Sequence, residues 1–156
     1  MYNSTKDMLD ALRVTPDTLT GLLAGVTQTQ AQKAKGGDEG WSVVEVLCHL
    51  RDASEYAIQR VTLMRDRDNP EILPYDQEKL AIERNYAAQD VRAVLASFTA
   101  LRRQHIAILE GLSPEGWNRT GNHAELGTIT IFAHTLHIVS HDAIHCAQIA
   151  HQVKNA

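Results

Sequence analysis

Apolar residues recur at helical spacing along nearly the whole chain, and no stretch alternates well enough to argue for strands. Met8, Leu9, Leu12, Leu19, Leu22 and Leu23 predict a first helix from about Ser4 to about Val26. Thr15-Pro16-Asp17 reads as a cap followed by proline at a first helical position, so this helix is expected as two pieces joined there. Gln28 to Lys35 is polar and fits helix or loop, and Gly36-Gly37-Asp38-Glu39-Gly40 is a clear break. Ser42 with Glu45 three residues on makes a capping box for a second helix, which carries Val43, Val46, Leu47, Leu50, Ala57, Ile58, Val61 and Met64 and ends near Arg67.

Asp68 to Asp76 holds Pro70 and Pro74 and reads as a connection, with a short helix from Gln77 to about Tyr86 inside it. Asp90 caps a third helix through Val91, Val94, Leu95, Phe98, Leu101, Ile108, Leu109 and Leu112. Ser113-Pro114-Glu115 starts a turn, and Asn118 to Gly127 reads as polar loop. A last helix runs from near Thr128 to about Val153. Four amphipathic helices of roughly 20 residues imply an all-α four-helix bundle. The connection between the second and third helices, about 20 residues, is long enough to cross the bundle's end, so those two need not be antiparallel neighbours.

The chain has 156 residues, a size expected of one domain over residues 1–156, and 44% hydrophobic residues, enough for one sizeable core. A net charge of −4 without a basic run argues against nucleic acid as a partner. The apolar runs are too short to span a membrane, and the N-terminal residues show no charged-then-apolar signal pattern. Cys48 and Cys146 make no disulfide framework and fit a reducing compartment, so a cytoplasmic location is expected.

Eight histidines are the compositional oddity, and His134, His137, His141 and His145 fall on one face of the last helix. Histidines four apart can aim two imidazoles at one ion, and both His137/His141 and His141/His145 have that spacing. A third ligand must come from another helix, with His49 and His105 as candidates. Against this stands a bland reading in which His105, His123 and His151 are ordinary hydrogen-bonded residues. Asp52, one turn after His49, and Gln148, three after His145, are candidates to hold the imidazoles, whereas Asp142 points away from His141 on the helical wheel. Trp41 is expected to pack at its helix start, and the two cysteines to be small buried thiols. No Glu lies within the histidine pairs, so this is not the zinc-protease arrangement.

Three segments carry a family resemblance. Trp41-Ser42-Val-Val-Glu45-Val-Leu-Cys-His49-Leu-Arg-Asp52, Gly121-Asn-His123-Ala-Glu-Leu-Gly127-Thr-Ile-Thr130 and His141-Asp142-Ala-Ile-His145-Cys-Ala-Gln148-Ile149 resemble, in order, motifs of the DinB/YfiT-like proteins. Pro74-Tyr75-Asp76 and Arg102-Arg103 fit the pattern loosely. The resemblance implies a four-helix bundle of up-down-down-up order, often a homodimer. It implies metal ligands at His49, His141 and His145, with zinc or nickel as the ion, and leaves His134 and His137 as non-ligands. It also implies a small-molecule substrate, handled by a thiol-dependent S-transferase using a low-molecular-weight thiol or by a metal-dependent hydrolase. The common chemical ground is that three neutral imidazoles leave a divalent ion its full charge, which acidifies a coordinated water or thiol. The competing readings are a metal-binding stress-response or small-molecule binding protein without catalysis, and a plain bundle without metal.

Overall fold

The computed structural model describes residues 4–38 and 40–156. Glu39 of the glycine-rich break and the first three residues of the polar N-terminus lie outside the described residues. Four long helices dominate: α1 (Thr5–Leu22), α3 (Val43–Asp66), α5 (Val91–Glu110) and α6 (Ile131–Lys154), with the short helices α2 (Gln28–Lys33) and α4 (Gln77–Glu83) between them. Their starts follow from side-chain caps. The Ser42 hydroxyl accepts from Glu45 N at 3.3 Å while the Glu45 carboxylate accepts from Ser42 N at 2.7 Å, and Asp90 and Thr130 cap α5 and α6 at 2.8 Å and 3.0 Å. The polar stretch after Val26 resolves as helix α2, opened by a second capping box between Thr27 and Gln30.

Two expectations change. α1 is one helix, with Pro16 inside it. A proline there removes one helical hydrogen bond. Met8, Leu12, Thr15, Pro16 and Leu19 nevertheless form a continuous buried stripe, and burial of that stripe carries the helix through the lost bond. Thr15 does not cap; its hydroxyl bridges to Asp142 on α6 at 3.1 Å.

Strands also exist. Lys35–Gly36 (β1) pairs antiparallel with Trp41–Ser42 (β2), while Glu71–Ile72 (β3) lies parallel to Thr120–His123 (β4), which pairs antiparallel with Gly127–Thr130 (β5). At two to four residues each, these segments are too short for alternation to register in sequence. The expected loop of residues 118–127 is thus a 3-10 turn (Gly116–Asn118) followed by a hairpin, whose tight turn needs Gly127 at φ 70°.

Core membership gives the helix directions. Leu19 late in α1 and Leu23 just after it, Val43 to Leu50 early in α3, Val91 to Phe98 early in α5 and Ile149 late in α6 share one cluster. Met8 and Leu12 early in α1, Val61 and Met64 late in α3, Ile106 and Leu109 late in α5 and Ile131 early in α6 share the other. α1 and α6 therefore run together and α3 and α5 run the opposite way, which is up-down-down-up order. α3 and α5 are parallel neighbours, so residues 67–90 must travel the bundle's length. That segment does so through β3, α4 and the 3-10 turn Tyr86–Ala88. Among the described residues, no helix is long and apolar enough to cross a membrane.

Candidate metal centre

α3 and α6 face each other antiparallel, and the residues on their shared seam are mostly polar. On α3 the row is His49, Ala53, Tyr56, Arg60; on α6 it is His134, His137, His141, His145. Steps of three and four keep each row within a narrow sector of its helix, roughly one side of the cylinder. The antiparallel arrangement puts His49 opposite His141 and His145, and Arg60 near His134 and His137, which line cavities with it.

His49, His141 and His145 converge. One ring nitrogen from each lies within 4.8 Å of the others, and this is the sole such group of His, Cys, Asp or Glu among the described residues. His49 Nε2 and His141 Nε2 are 2.8 Å apart, somewhat inside the ~3.3 Å that two imidazole nitrogens have on a tetrahedral ion. The ring centroids are 4.8 Å (His49–His141), 4.9 Å (His49–His145) and 4.5 Å (His141–His145) apart. His49 is buried and the other two are half-buried. Burial, reinforced by the neighbouring imidazoles, pushes His49 down to about 4 and His141 to about 2. Both rings are therefore neutral at ordinary pH, as ligands must be. An all-imidazole set with aligned nitrogens and no competing carboxylate fits a divalent ion.

Gln148 supports the cluster. Its Oε1 lies 2.8 Å from His145 Nδ1, so Nδ1 carries the proton and Nε2 is left with its lone pair, while its Nε2 donates to Gly36 O at 3.3 Å. One turn on, Gln152 donates to the carbonyls of Trp41 (2.7 Å) and Ala34 (3.1 Å), tying α6 to the β1–β2 hairpin. That hairpin holds Trp41, buried as expected at its helix start, with its ring 5.3 Å from the His49 ring.

The carboxylates behave differently. Asp52 makes no hydrogen bond to His49; it accepts from the Tyr86 hydroxyl, from Arg51 at 2.8 Å and from Arg84 at 3.0 Å, a network that fixes the 67–90 connection to α3. Burial and then the Asp52 bond push the Tyr86 phenol well above its usual range. Asp142, as the helical wheel indicated, turns away from His141 and pairs with Arg102 on α5. Nδ1 of His49 and of His141 are buried without a partner. Neither cysteine joins the cluster: Cys48 is buried and Cys146 half-buried, with thiols pushed up to about 12 and about 11 by burial.

His137 stays outside the cluster, its ring 6.1 Å from that of His141, and His134 and His105 do too. His105 is not the hydrogen-bonded residue expected. It is fully buried on α5, with both ring nitrogens unpartnered. His151 is exposed beside Asn155.

A cavity of about 40 Å³ reaches His141 between Tyr56, Arg60, Tyr75 and His137, and adjoins a second of about 150 Å³ lined by Arg60, His123, Leu126 and His134. Sequence reasoning missed Tyr56, Arg60 and Tyr75 as site residues, although the seven- and eleven-residue spacing of Tyr56 and Arg60 from His49 was the available signal. A wider depression, about 720 Å³, lies between α1 and α6 and contains none of the three histidines.

Fold and site together define a helical bundle with a buried, all-histidine metal-type cluster. The profile of the DinB superfamily matches residues 11–149, and the chain belongs to that family. A protein of Oceanobacillus iheyensis named "Putative metal-dependent hydrolase" is 35% identical over 92 residues, 59% of this chain and 53% of that protein. A Bacillus cereus protein of the same name is 28% identical over 151 residues, 87% of this chain and 86% of its own. In the first three such relatives the matched stretch spans about half to two thirds of their length. The solved structure of YfiT from Bacillus subtilis, described as "a probable metal-dependent hydrolase with an unusual four-helix bundle topology", superposes with a TM-score of 0.90 at 23% identity, covering 99% of this chain and 89% of YfiT. At that identity the likeness speaks for the fold.

Proposed function

We propose that the chain is a metal-dependent enzyme acting on a small molecule, with His49, His141 and His145 holding a divalent ion, zinc or nickel. The observation that carries this is the convergence of three imidazole nitrogens from two helices, with no carboxylate or thiol in the group. Such a set leaves the ion its full charge and an open position, and so supplies Lewis acidity for attack on a carbonyl or similar centre. The names of the relatives support hydrolysis.

The protein's own residues orient and shield this centre. Gln148 fixes the His145 ring, Trp41 packs against the His49 ring, and the seam toward Tyr56 and Arg60 gives a path to His141. Asp52 and Asp142 are held in buried ion pairs, so neither is free to move a proton at the site.

Thiol-dependent S-transfer is the second reading. One observation shapes it: Cys48 and Cys146 stand outside the cluster with raised pKa values, so any reacting thiol is a low-molecular-weight cosubstrate from solution. A homodimer, as the family resemblance implies, belongs to the same proposal and is read by sedimentation.

The test is elemental analysis of untagged protein beside His49→Ala, before and after incubation with zinc or nickel. About one metal per chain in the wild type, lost in the variant, is the expected result. Turnover of simple esters and amides, against turnover of electrophiles with added thiols, then separates the two chemistries. Failure of the wild type to take up either metal rejects the proposal.

A further inference from the structure

The seam does not end at the three histidines. Beyond His141 it continues into the two adjoining cavities, and their walls are chemically specific. Arg60 is half-buried on α3, with its guanidinium carbon 5.4 Å from the centroid of the Tyr75 ring. It donates to Leu73 O at 2.9 Å, and no carboxylate pairs with it among the described residues. A partly desolvated guanidinium has five donors in a fixed fork, so most of its hydrogen-bonding capacity is unspent here.

His134 lines both cavities opposite it and is 4% exposed, with neither ring nitrogen partnered. A buried imidazole left without partners forfeits the hydrogen bonds that it makes to water in the unfolded chain. Unlike His105, which lines neither cavity, His134 presents its unpartnered ring where a ligand can complete it. Burial, then the charge of Arg60, pushes His134 down to about 3, so the ring is neutral and offers one N–H donor. Its place in the first turn of α6 adds the partial positive charge of a helix N-terminus to the same end of the seam.

We propose that Arg60 and His134 form a carboxylate subsite, holding the acid end of a small substrate so that the rest of the molecule lies along the seam toward His141. This rests on the reading of the three histidines as the reacting centre. One guanidinium with no second Lys or Arg lining the two cavities matches a single negative charge and the planar fork of a carboxylate. Tyr56 and Tyr75, stacked on each other at 4.0 Å and 5° between planes, both line the smaller cavity and give an apolar or aromatic body a surface to pack against. His123 sits at the outer end; its Nδ1 accepts from the backbone N–H groups of Glu125 and Leu126, so its proton is on Nε2 and available as another donor. The substrate class is therefore a small monocarboxylic acid whose reacting group lies a few atoms from the carboxylate.

The test compares benzoate with benzamide by calorimetric titration of the zinc-loaded protein. The two probes share shape and differ in charge. Benzoate is expected to bind at least about ten-fold more tightly, the scale of a charge-assisted hydrogen bond. Arg60→Gln is expected to abolish that preference with metal content unchanged, and Arg60→Lys to retain part of it. In the wild type, the His134 ring nitrogens are expected to shift in the NMR spectrum on adding benzoate and not benzamide, a readout that needs no variant. Equal binding of the two probes, or an unmoved His134 ring, overturns the proposal. So does a preference that survives Arg60→Gln but disappears when zinc is stripped, because the ion itself then holds the carboxylate. A protein that takes up no metal yet prefers benzoate through Arg60 keeps the subsite and rejects the metal centre.

Discussion

Arg102 and Asp142 form a two-pronged ion pair in the middle of the bundle, joining α5 to α6 with both side chains almost completely buried. The second guanidinium nitrogen is 3.0 Å from Asp142 Oδ1 and 3.1 Å from the Ser54 hydroxyl, Thr15 donates to the other carboxylate oxygen, and the Phe98 ring lies 4.9 Å away. Two other helices thus meet on one carboxylate of α6, directly after His141, and α3 joins them through the bond from Arg102 to Ser54. Arg102→Met leaves that carboxylate buried and unpaired and is expected to cost about 3–5 kcal/mol in urea denaturation. Arg102→Met combined with Asp142→Leu is expected to recover most of the loss, since it removes both charges. A double variant as unstable as the single one contradicts this account.

Gln148 offers a more local test of the centre. Its bond to His145 Nδ1 sets which nitrogen faces the other two histidines. Gln148→Leu keeps the volume and removes the acceptor. We expect metal affinity to fall about 10–100-fold, measured by competition with a chromogenic chelator, with little change in the thermal midpoint of the metal-free protein. An unchanged affinity means that packing alone holds the ring.

Much of the fold was legible because local chemistry and packing agree in it. Ser42, Asp90 and Thr130 are capping residues by type, and each caps where a hydrophobic period begins. Pro16 misled because local signals cannot weigh a buried stripe that spans both sides of a proline. β3 and β4 were invisible because a pair of two to four residues owes its existence to a partner some fifty positions away. In the site, spacing narrowed α6 to two histidine pairs, and the family resemblance singled out His141 and His145. What spacing could not show was the far half of the seam. Arg60 reads as a solvated helix charge until α6 is laid against it, and His134 reads as one more histidine until its partners are counted.

Gly121 was part of a recognisable motif, and the structure supplies its reason. A Cβ there would stand 2.8 Å from Ile72 Cγ1 and 2.9 Å from Met64 Cγ, closer than side chains pack. β4 is pressed onto β3 and the end of α3 at this point, which places His123 at the cavity. Gly121→Ala is expected to cost about 1–3 kcal/mol by overpacking. The same variant, by displacing β4, is expected to weaken benzoate binding, whereas Gly111→Ala, where a Cβ meets its nearest neighbour at 3.5 Å, leaves binding unchanged.

The buried histidines away from the cluster give the protein an acid limb of defined sign. His105 is pushed down to about 3, first by burial and then by the Arg102 charge. In the unfolded chain it titrates near 6.5, so between about pH 6.5 and 3 the unfolded state binds a proton that the folded state does not. Stability contributed by keeping His105 neutral is present above pH 6.5 and is lost as pH falls through that window, by up to ten-fold in the folding constant per pH unit. His134 adds a second contribution of the same sign, its cause again burial first and Arg60 next. His105→Leu removes a titrating group and two unpartnered nitrogens in one step. Denaturation midpoints followed from pH 7 to pH 4 are therefore expected to fall less steeply in His105→Leu than in the wild type, and the variant is expected to be at least as stable at pH 7. Parallel pH profiles for the two proteins mean that His105 finds a proton partner the buried geometry does not provide.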